Sequence, residues 1–364
     1  MLKSLHIENL TVFPEADLTF GKSLNVFIGE NGSGKSHILK AAYTPLALSA
    51  ERPEEGGGRL NLTRERLQPA LADKLQAVFR PDGLWRLVRR RVGRGKCVLS
   101  YGFDVSSLDL KFSFSTVARA EVSVQTLPAK RVEKLPIFLP TRELLTIYPG
   151  FVSLYETTHL SFDETWRDTC LLLGAPLARG PREARIKALL APLEAAMGGG
   201  IELDQSGRFY LNLDSGRMEM HLVAEGLRKL ATVARLIATG SLLDKGYLFW
   251  DEPEANLNPK MIKTVAKTVL QLAQSGIQVF IATHSLFLLR ELHILRQRDF
   301  KTLDTRCFGL HIEPDGSVLV RQGDTMDDIG SIAALDEDLQ QSERYIDTEM
   351  GVSAGQTSAL SSHA

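Results

Sequence analysis

The chain has 364 residues, and 43 lysines and arginines against 44 acids leave a formal net charge of -1. That balance excludes a general electrostatic pull toward nucleic acid or an anionic membrane, so any such contact needs a local patch. At 44% apolar and 24% charged residues it reads as an ordinary globular chain, and no apolar run approaches the ~20 residues needed to span a bilayer.

The start, Met1-Leu2-Lys3-Ser4-Leu5-His6-Ile7, alternates like a strand and carries no signal-peptide core. Cys97, Cys170 and Cys307 are scattered without metal-ligand spacing and read as free thiols of a reducing cytoplasm. Strands are expected over 2–8, 16–20 and Leu24–Ile28, then a helix from Gly34 to Tyr43 that stops near Pro45. Residues 51–58 read as a loop. A second helix over 63–79 keeps Leu67, Leu71, Leu75, Val78 and Phe79 on one face. Alternation over 110–115 and 121–125, with runs at 84–92 and 97–103, predicts about four antiparallel strands with one wet face. A short strand 135–139 closes at Pro140.

The middle reads as helical. Ser161-x-x-Glu164 has the capping-box pattern for a helix to Leu173, and 182–197 forms another, ended by Gly198-Gly199-Gly200. A hairpin is expected over 208–213 and 217–222 around Asp214-Ser215-Gly216. From 223 onward helix and strand alternate, the pattern of a parallel sheet. A second hairpin turns at Pro314-Asp315-Gly316, a helix covers 336–349, and the small, polar residues 351–364 read as a disordered tail. The expected organisation is 1–50 and 223–310 as two parts of one lobe, 51–135 as an antiparallel β subdomain, 136–222 as a helical insertion with a hairpin, and 311–350 as a C-terminal hairpin and helix.

Two motifs carry chemistry. Gly29-Glu30-Asn31-Gly32-Ser33-Gly34-Lys35-Ser36 fits G-x-x-x-x-G-K-[ST] between a strand and a helix. Glycines let the backbone wrap phosphates, and successive N–H groups and the helix N-terminus point positive at them. Lys35 is placed to reach the β and γ phosphates of a nucleotide and Ser36 to ligate Mg2+. The second is Tyr247-Leu248-Phe249-Trp250-Asp251-Glu252, a buried strand ending in two acids at the edge where parallel sheets bind ligands. Asp251 is expected to hold Mg2+, directly or through water, and Glu252 to orient the attacking water as general base. Two acids after a strand are common on surfaces; beside a P-loop they read as a site. Thr283-His284-Ser285 ends the next strand, which makes His284 a candidate to sense the γ phosphate.

The order of P-loop, Asp251-Glu252-Pro253-x-x-x-Leu257-Asn258-Pro259 and Thr283-His284-Ser285 resembles ABC-type P-loop ATPases. Within them the chain is most similar to the SMC/RecF/OLD-like branch, including bacterial ATPases of phage-defence and toxin–antitoxin-like gene pairs. Ile7-Glu8-Asn9-Leu10 and the stretch Leu139–Tyr155 add to that likeness. The resemblance implies an α/β fold with a mixed central sheet, an antiparallel β subdomain and a helical insertion. It also implies ATP and Mg2+ as cofactors, and a homodimer that sandwiches ATP between protomers. The signature segment then falls on Val223–Lys229, where Glu225, Gly226, Arg228 and Lys229 would face the nucleotide of the other protomer. Three departures stand out: Ala224 replaces the usual serine, Thr11 the usual base after the first strand, and Arg142-Glu143 stands where a glutamine loop is expected. Backbone N–H groups, Arg228 and Lys229 are the candidates to compensate for Ala224.

Three functions fit at this point. The first is an ATPase switch controlling a partner effector protein in a defence or toxin–antitoxin-like system. The second is a RecF-like repair ATPase bound to nucleic acid through Arg86, Arg89, Arg90, Arg91, Arg94 and Lys96. The third is a transporter ATPase subunit, which the altered signature and the long insertion before it disfavour. No membrane partner is expected.

Overall fold

The computed structural model describes residues 1–50, 63–90, 93–117, 120–158, 160–243 and 246–361, so the expected loop at 51–58 and Arg91 lie outside the described residues. The first motif sits between strand β3 (Leu24–Gly29) and helix α1 (Lys35–Ser49). β3 lies at the centre of a six-stranded sheet. Its neighbours are β12 (Ile277–Thr283), then β11 (Gly246–Asp251) and β7 (Ile137–Leu139) on one side, and β13 (Thr305–Ile312), then β14 (Val318–Gly323) on the other. All are parallel except β14, which turns back on β13.

Alternation along these strands divides the core in two. Leu24, Val26, Ile28, Leu248, Trp250, Ile277, Val279 and Ile281 face α6 (Glu225–Ala238), α7 (Pro259–Gln274) and the helical insertion. Phe27, Phe138, Phe249, Phe280 and Phe308 face α1 and the second sheet. The rings of Phe138, Phe249 and Phe280 stack across three strands at 6.4 and 4.7 Å, and Phe27 stacks on Phe308 at 4.6 Å. Phe20 meets Phe27, Phe280 and Phe308 edge-on and so joins the two stacks. Burying each such ring stabilises by roughly 1.5–3 kcal/mol.

The second sheet is antiparallel, in the order β2 (Phe13–Thr19), β1 (Leu2–Leu10), β4 (Lys96–Phe103), β5 (Leu110–Ser115), β6 (Ser123–Thr126), with α2 (Arg64–Phe79) packed against α1. Two fully buried amides tie it to the parallel sheet. Gln278 on β12 accepts from the Leu2 N–H and donates to the Leu2 and Gly21 carbonyls; Asn25 on β3 accepts from the Gly21 N–H and donates to its carbonyl. Buried polar groups must be paired, and here pairing sets how the sheets meet.

The helical insertion holds α3 (Tyr148–Thr157), α4 (Glu164–Leu173) and α5 (Glu183–Met197), followed by a three-stranded sheet β10-β9-β8. Its strands are β8 (Gly199–Leu203), β9 (Phe209–Leu213) and β10 (Gly216–Glu219). Arg235 of α6 donates to the carbonyls of Leu173 and Ala175 at 2.9 Å each, which seats the end of α4 on α6. α8 (Leu286–Asp299) and α9 (Ala333–Ser361) complete the chain.

Several local expectations are corrected. Of the run expected as a strand over 84–92, the described part opens with a 3-10 turn, Leu84–Leu87, whose buried Leu84 and Leu87 sit three apart, and only Val88 makes a β-bridge, to Leu10. Asp163, not Ser161, caps α4, since its side chain accepts from the Thr165 N–H. β8 begins at Gly199, where a helix stop alone is expected, and α3 is an unforeseen helix interrupted at Pro149 and Gly150. Residues 220–222 form a 3-10 turn rather than strand. α9 continues through Ser361 where a disordered tail is expected, since only Gly351 and Gly355 weaken it and no proline stops it.

α1 also runs past Pro45 to Ser49. Pro45 has no N–H for the Ala41 carbonyl, and the buried Tyr101 hydroxyl of β4 donates to that carbonyl instead at 2.9 Å. Tyr101→Phe is expected to cost about 1–3 kcal/mol by leaving a buried carbonyl unpaired. In a Pro45→Ala background the helix supplies its own N–H, and the same substitution is expected to cost far less. Urea denaturation of the four chains measures both.

Candidate functional site

Four neighbouring strands that end at one edge deliver the site. Asp251 lies opposite Ala282, Thr283 opposite Ile28, and Leu310 opposite Gly29, so the ends of β11, β12, β3 and β13 form one row. Gly32 and Gly34 take φ of 84° and 86°, a region that side chains avoid. A Cβ on Gly34 would also meet the Phe13 ring at 2.7 Å and Val12 at 2.8 Å. Asn31 precedes them on an exposed turn, and Ser33, between them, is buried.

Lys35 folds back over this loop and donates to the Gly29 and Glu30 carbonyls at 2.7 and 2.8 Å. Burial lowers its ammonium pKa, against the pull of Glu252 and Asp251. The Ser36 hydroxyl donates to Asp251 at 2.6 Å. Burial raises the Asp251 carboxyl, and the Ser36 bond works against that rise. A hydroxyl and a carboxylate converging at the start of α1 are hard oxygen donors of the kind Mg2+ takes. The glycine-lined, cationic loop beside them suits a polyphosphate.

Glu252 continues the ladder by one bond, its N–H donating to Ala282, and then turns the chain at φ 47°. Its Oε1 stands 3.4 Å from Nδ1 of His284, whose side chain is 44% exposed. The two proposed catalytic groups are thus brought together at the sheet edge, within reach of solvent.

The signature residues lie elsewhere. Glu225 accepts from Asn256 at 3.0 Å, and a Cβ on Gly226 would meet the Asn256 carbonyl at 2.9 Å. Lys229 donates to the carbonyls of Glu252 and Ala255 at 2.7 and 3.2 Å. Arg228 donates to the Val223 carbonyl at 2.8 Å and pairs with the buried Glu143 at 3.0 Å. Compensation for Ala224 by Arg228 and Lys229 is therefore corrected: both heads are spent inside the chain, one on Glu143 and one on the turn after β11. Ala224 caps α6 with no side-chain bond, which leaves only backbone N–H groups there.

Four groups take positions that the sequence alone does not assign. Glu143, in the segment expected to replace a glutamine loop, holds the start of the signature helix through Arg228. Thr11, at φ 48°, bonds Nδ1 of His37 at 3.0 Å in the first turn of α1. Glu254 is buried and accepts from the Thr283 hydroxyl at 2.6 Å; burial raises its carboxyl against that bond. Asn256 takes φ 63° on the same turn. In the sequence, Thr11 and Glu143 stand out as departures from the family pattern, and Glu254 through the acid-rich spacing 251–254.

The arginine cluster does not form a strand-borne stripe. Arg86 stacks on Trp85 at 4.3 Å and pairs with Asp82 at 3.6 Å, and Arg89 pairs with Asp315 at 3.3 Å. Arg90, Arg94 and Lys96 are exposed.

Known proteins place this arrangement. The family profile described as "AAA domain, putative AbiEii toxin, Type IV TA system" matches residues 100–290, and one described as "AAA domain" matches 4–60. Among solved structures, an Smc head bound to the C-winged helix domain of ScpA is similar at 14% identity and TM-score 0.52, over 90% of this chain and 98% of that one. An Smc head domain with an extended coiled coil, bound to the C-terminal domain of ScpA derived from Pyrococcus furiosus, is similar at 12% identity and TM-score 0.52, over 94% and 99%.

Lys229 generates a pH test. Burial lowers its pKa from 10.5 to about 8. Between those values the unfolded chain holds the proton and the folded chain releases it, so this group adds stability as pH rises. Below about pH 8 its burial penalty is constant. From about pH 7.5 to about 9.5 the wild type is expected to gain about 2 kcal/mol on Lys229→Met, read from urea midpoints at both pH values.

Proposed function

Since the chain belongs to the AbiEii-like AAA-domain family and has the fold of an Smc head, we propose that it binds and hydrolyses ATP between two protomers as the switch of a defence or toxin–antitoxin-like system. The observation that carries this reading is the row at the sheet edge, where the Ser36–Asp251 pair at 2.6 Å and the Glu252–His284 pair at 3.4 Å flank the P-loop.

In this reading the P-loop N–H groups of Asn31–Ser36 cradle the phosphates. Lys35 leaves the Gly29 and Glu30 carbonyls for the β and γ oxygens. Ser36 and Asp251 would hold Mg2+, which when bound neutralises charge developing between those phosphates. Glu252 orients the water and takes its proton. His284, beside it, faces the γ phosphate. The N-terminus of α6, from Glu225 and Gly226, presents its N–H groups to the nucleotide of the second protomer. The bare Ala224 makes that contact weaker than a serine would, which favours a slow switch over a fast motor.

The partner reading is supported at α9. Glu337 to Met350 are exposed on every side of this helix. Leu339, Ile346 and Met350 nonetheless share a stripe, and Asp336, Glu337, Asp338, Glu343, Asp347 and Glu349 outweigh Arg344. An isolated helix is marginal in water. An effector that covers this stripe with an apolar, basic face would stabilise it. The nucleic-acid reading is weaker, because Asp82 and Asp315 already neutralise Arg86 and Arg89.

Lys35→Ala is expected to lower ATP affinity by at least about 100-fold in titration calorimetry. Glu252→Gln is expected to bind ATP yet turn over about 10²–10⁴-fold more slowly, and native mass spectrometry should then show an ATP-dependent homodimer. Parental turnover in Glu252→Gln would refute the general base, and a monomer with ATP would refute the two-fold sandwich. Deleting 336–364 should release any protein that copurifies from the native host while ATP hydrolysis persists.

A further inference from the structure

Three carboxylates follow β11 in close order, Asp251, Glu252 and Glu254, and the third has no part in the reaction described above. It is also the most enclosed, at 7% exposure. Its Oε1 accepts from the Thr283 hydroxyl at 2.6 Å, and that hydroxyl oxygen accepts from the Ser285 N–H at 3.0 Å. The Ser285 hydroxyl in turn accepts from the Leu288 N–H and caps α8. Glu254 thereby reaches from the turn after β11 to the end of β12 and secures both neighbours of His284. The imidazole between them is exposed, and among the described residues the Glu252 carboxylate, at 3.4 Å, is the side chain that pairs with it.

The second oxygen, Oε2, is buried and has no hydrogen-bond partner among the described residues. A clasp on one hydroxyl needs one acceptor. A buried carboxyl with an idle oxygen is a costly way to supply it. Groups retained at such cost cluster at sites where their charge or geometry is used. The surroundings fit: the His284 ring and the Lys229 ammonium both act to lower the Glu254 carboxyl, and Glu254 acts on Lys35.

We propose that Glu254 is a positioning residue for hydrolysis, which through Thr283 fixes the 283–285 turn and holds His284 against Glu252 and the γ phosphate. The inference rests on the ATPase reading above. Steady-state hydrolysis of MgATP by the full chain tests it with Glu254→Ala, Glu254→Gln, Thr283→Val and His284→Ala, singly and combined. Glu254→Ala and Thr283→Val are each expected to lower kcat about 10–100-fold with KM for ATP within about twofold, the pattern of an interaction used only in the transition state. Glu254→Gln keeps an acceptor for Thr283 and is expected to recover most of that loss. In a His284→Ala background, Glu254→Ala should add less than about twofold, because its route to the reaction is already gone.

Losses that multiply in that background would overturn the proposal, as would a rise in KM that accounts for the whole effect. Should Glu254→Ala not fold, Thr283→Val in the same background gives the same comparison. Absence of turnover in the wild type would overturn the ATPase reading and this inference with it; full turnover in Glu254→Ala and Thr283→Val would overturn this inference alone.

Discussion

Strands β3, β11 and β12 run parallel with Asp251 opposite Ala282 and Thr283 opposite Ile28. A slip of one residue in either pairing would turn every side chain to the other face. It would put Leu248 and Trp250 where Phe249 now stacks, and it would carry Asp251 away from Ser36. The stacked phenylalanines forbid that slip, since Phe138, Phe249 and Phe280 meet ring to ring only in this register. The packing that stabilises the sheet is therefore the packing that aligns the proposed chemistry. Beside the two loop glycines, the site residues that leave ordinary backbone space to reach their places are Thr11, Glu252 and Asn256.

Much of this was legible because the decisive contacts are local in the chain. A phosphate loop needs glycines, a lysine and a hydroxyl at fixed spacing, and the four apolar residues before Asp251 announce a buried strand. The same is true of the helix end at Gly198, which the structure carries where its residue type places it. Illegible parts share a different trait: their partners are far away. Proline at position 45 reads as a stop, and nothing nearby says that Tyr101 will answer the carbonyl it frees. Arg228 and Lys229 read as free cations beside a glycine, and only the folded chain brings Glu143 to one and the Glu252 and Ala255 carbonyls to the other. Glu254, an acid two residues past the proposed general base, looks like surface in the sequence until the fold buries it. The run 84–92 failed for a subtler reason, since leucines three apart satisfy a tight turn as well as they interrupt a strand.

The signature helix emerges as a fixture of its own protomer more than sequence alone suggests. Lys229, Glu225 and Gly226 all bear on the turn that carries Glu252, while Arg228 anchors the helix to the segment after β7 through Glu143. Whatever presses on the N-terminus of α6 presses on that turn. In a two-fold dimer of the proposed kind, each protomer would offer its partner a surface already joined to its own hydrolytic residues.

The buried amide of Gln278 has a consequence for how the protein is made. It grips the backbone of Leu2, a partner 276 residues earlier in the chain. The central strand β3 likewise has β12 and β13 for neighbours, both from the last third of the sequence. At ~5–20 residues per second on the ribosome, the first strands must wait roughly 15–60 s before the segments that flank them emerge. During that interval the phosphate-binding sequence exists without the sheet that shapes it. A nascent or truncated chain ending before β12 would thus present Phe20, Phe27 and the rest of that aromatic face to solvent and to chaperones. It would gain no protection from ATP, however abundant, until its final third had been translated.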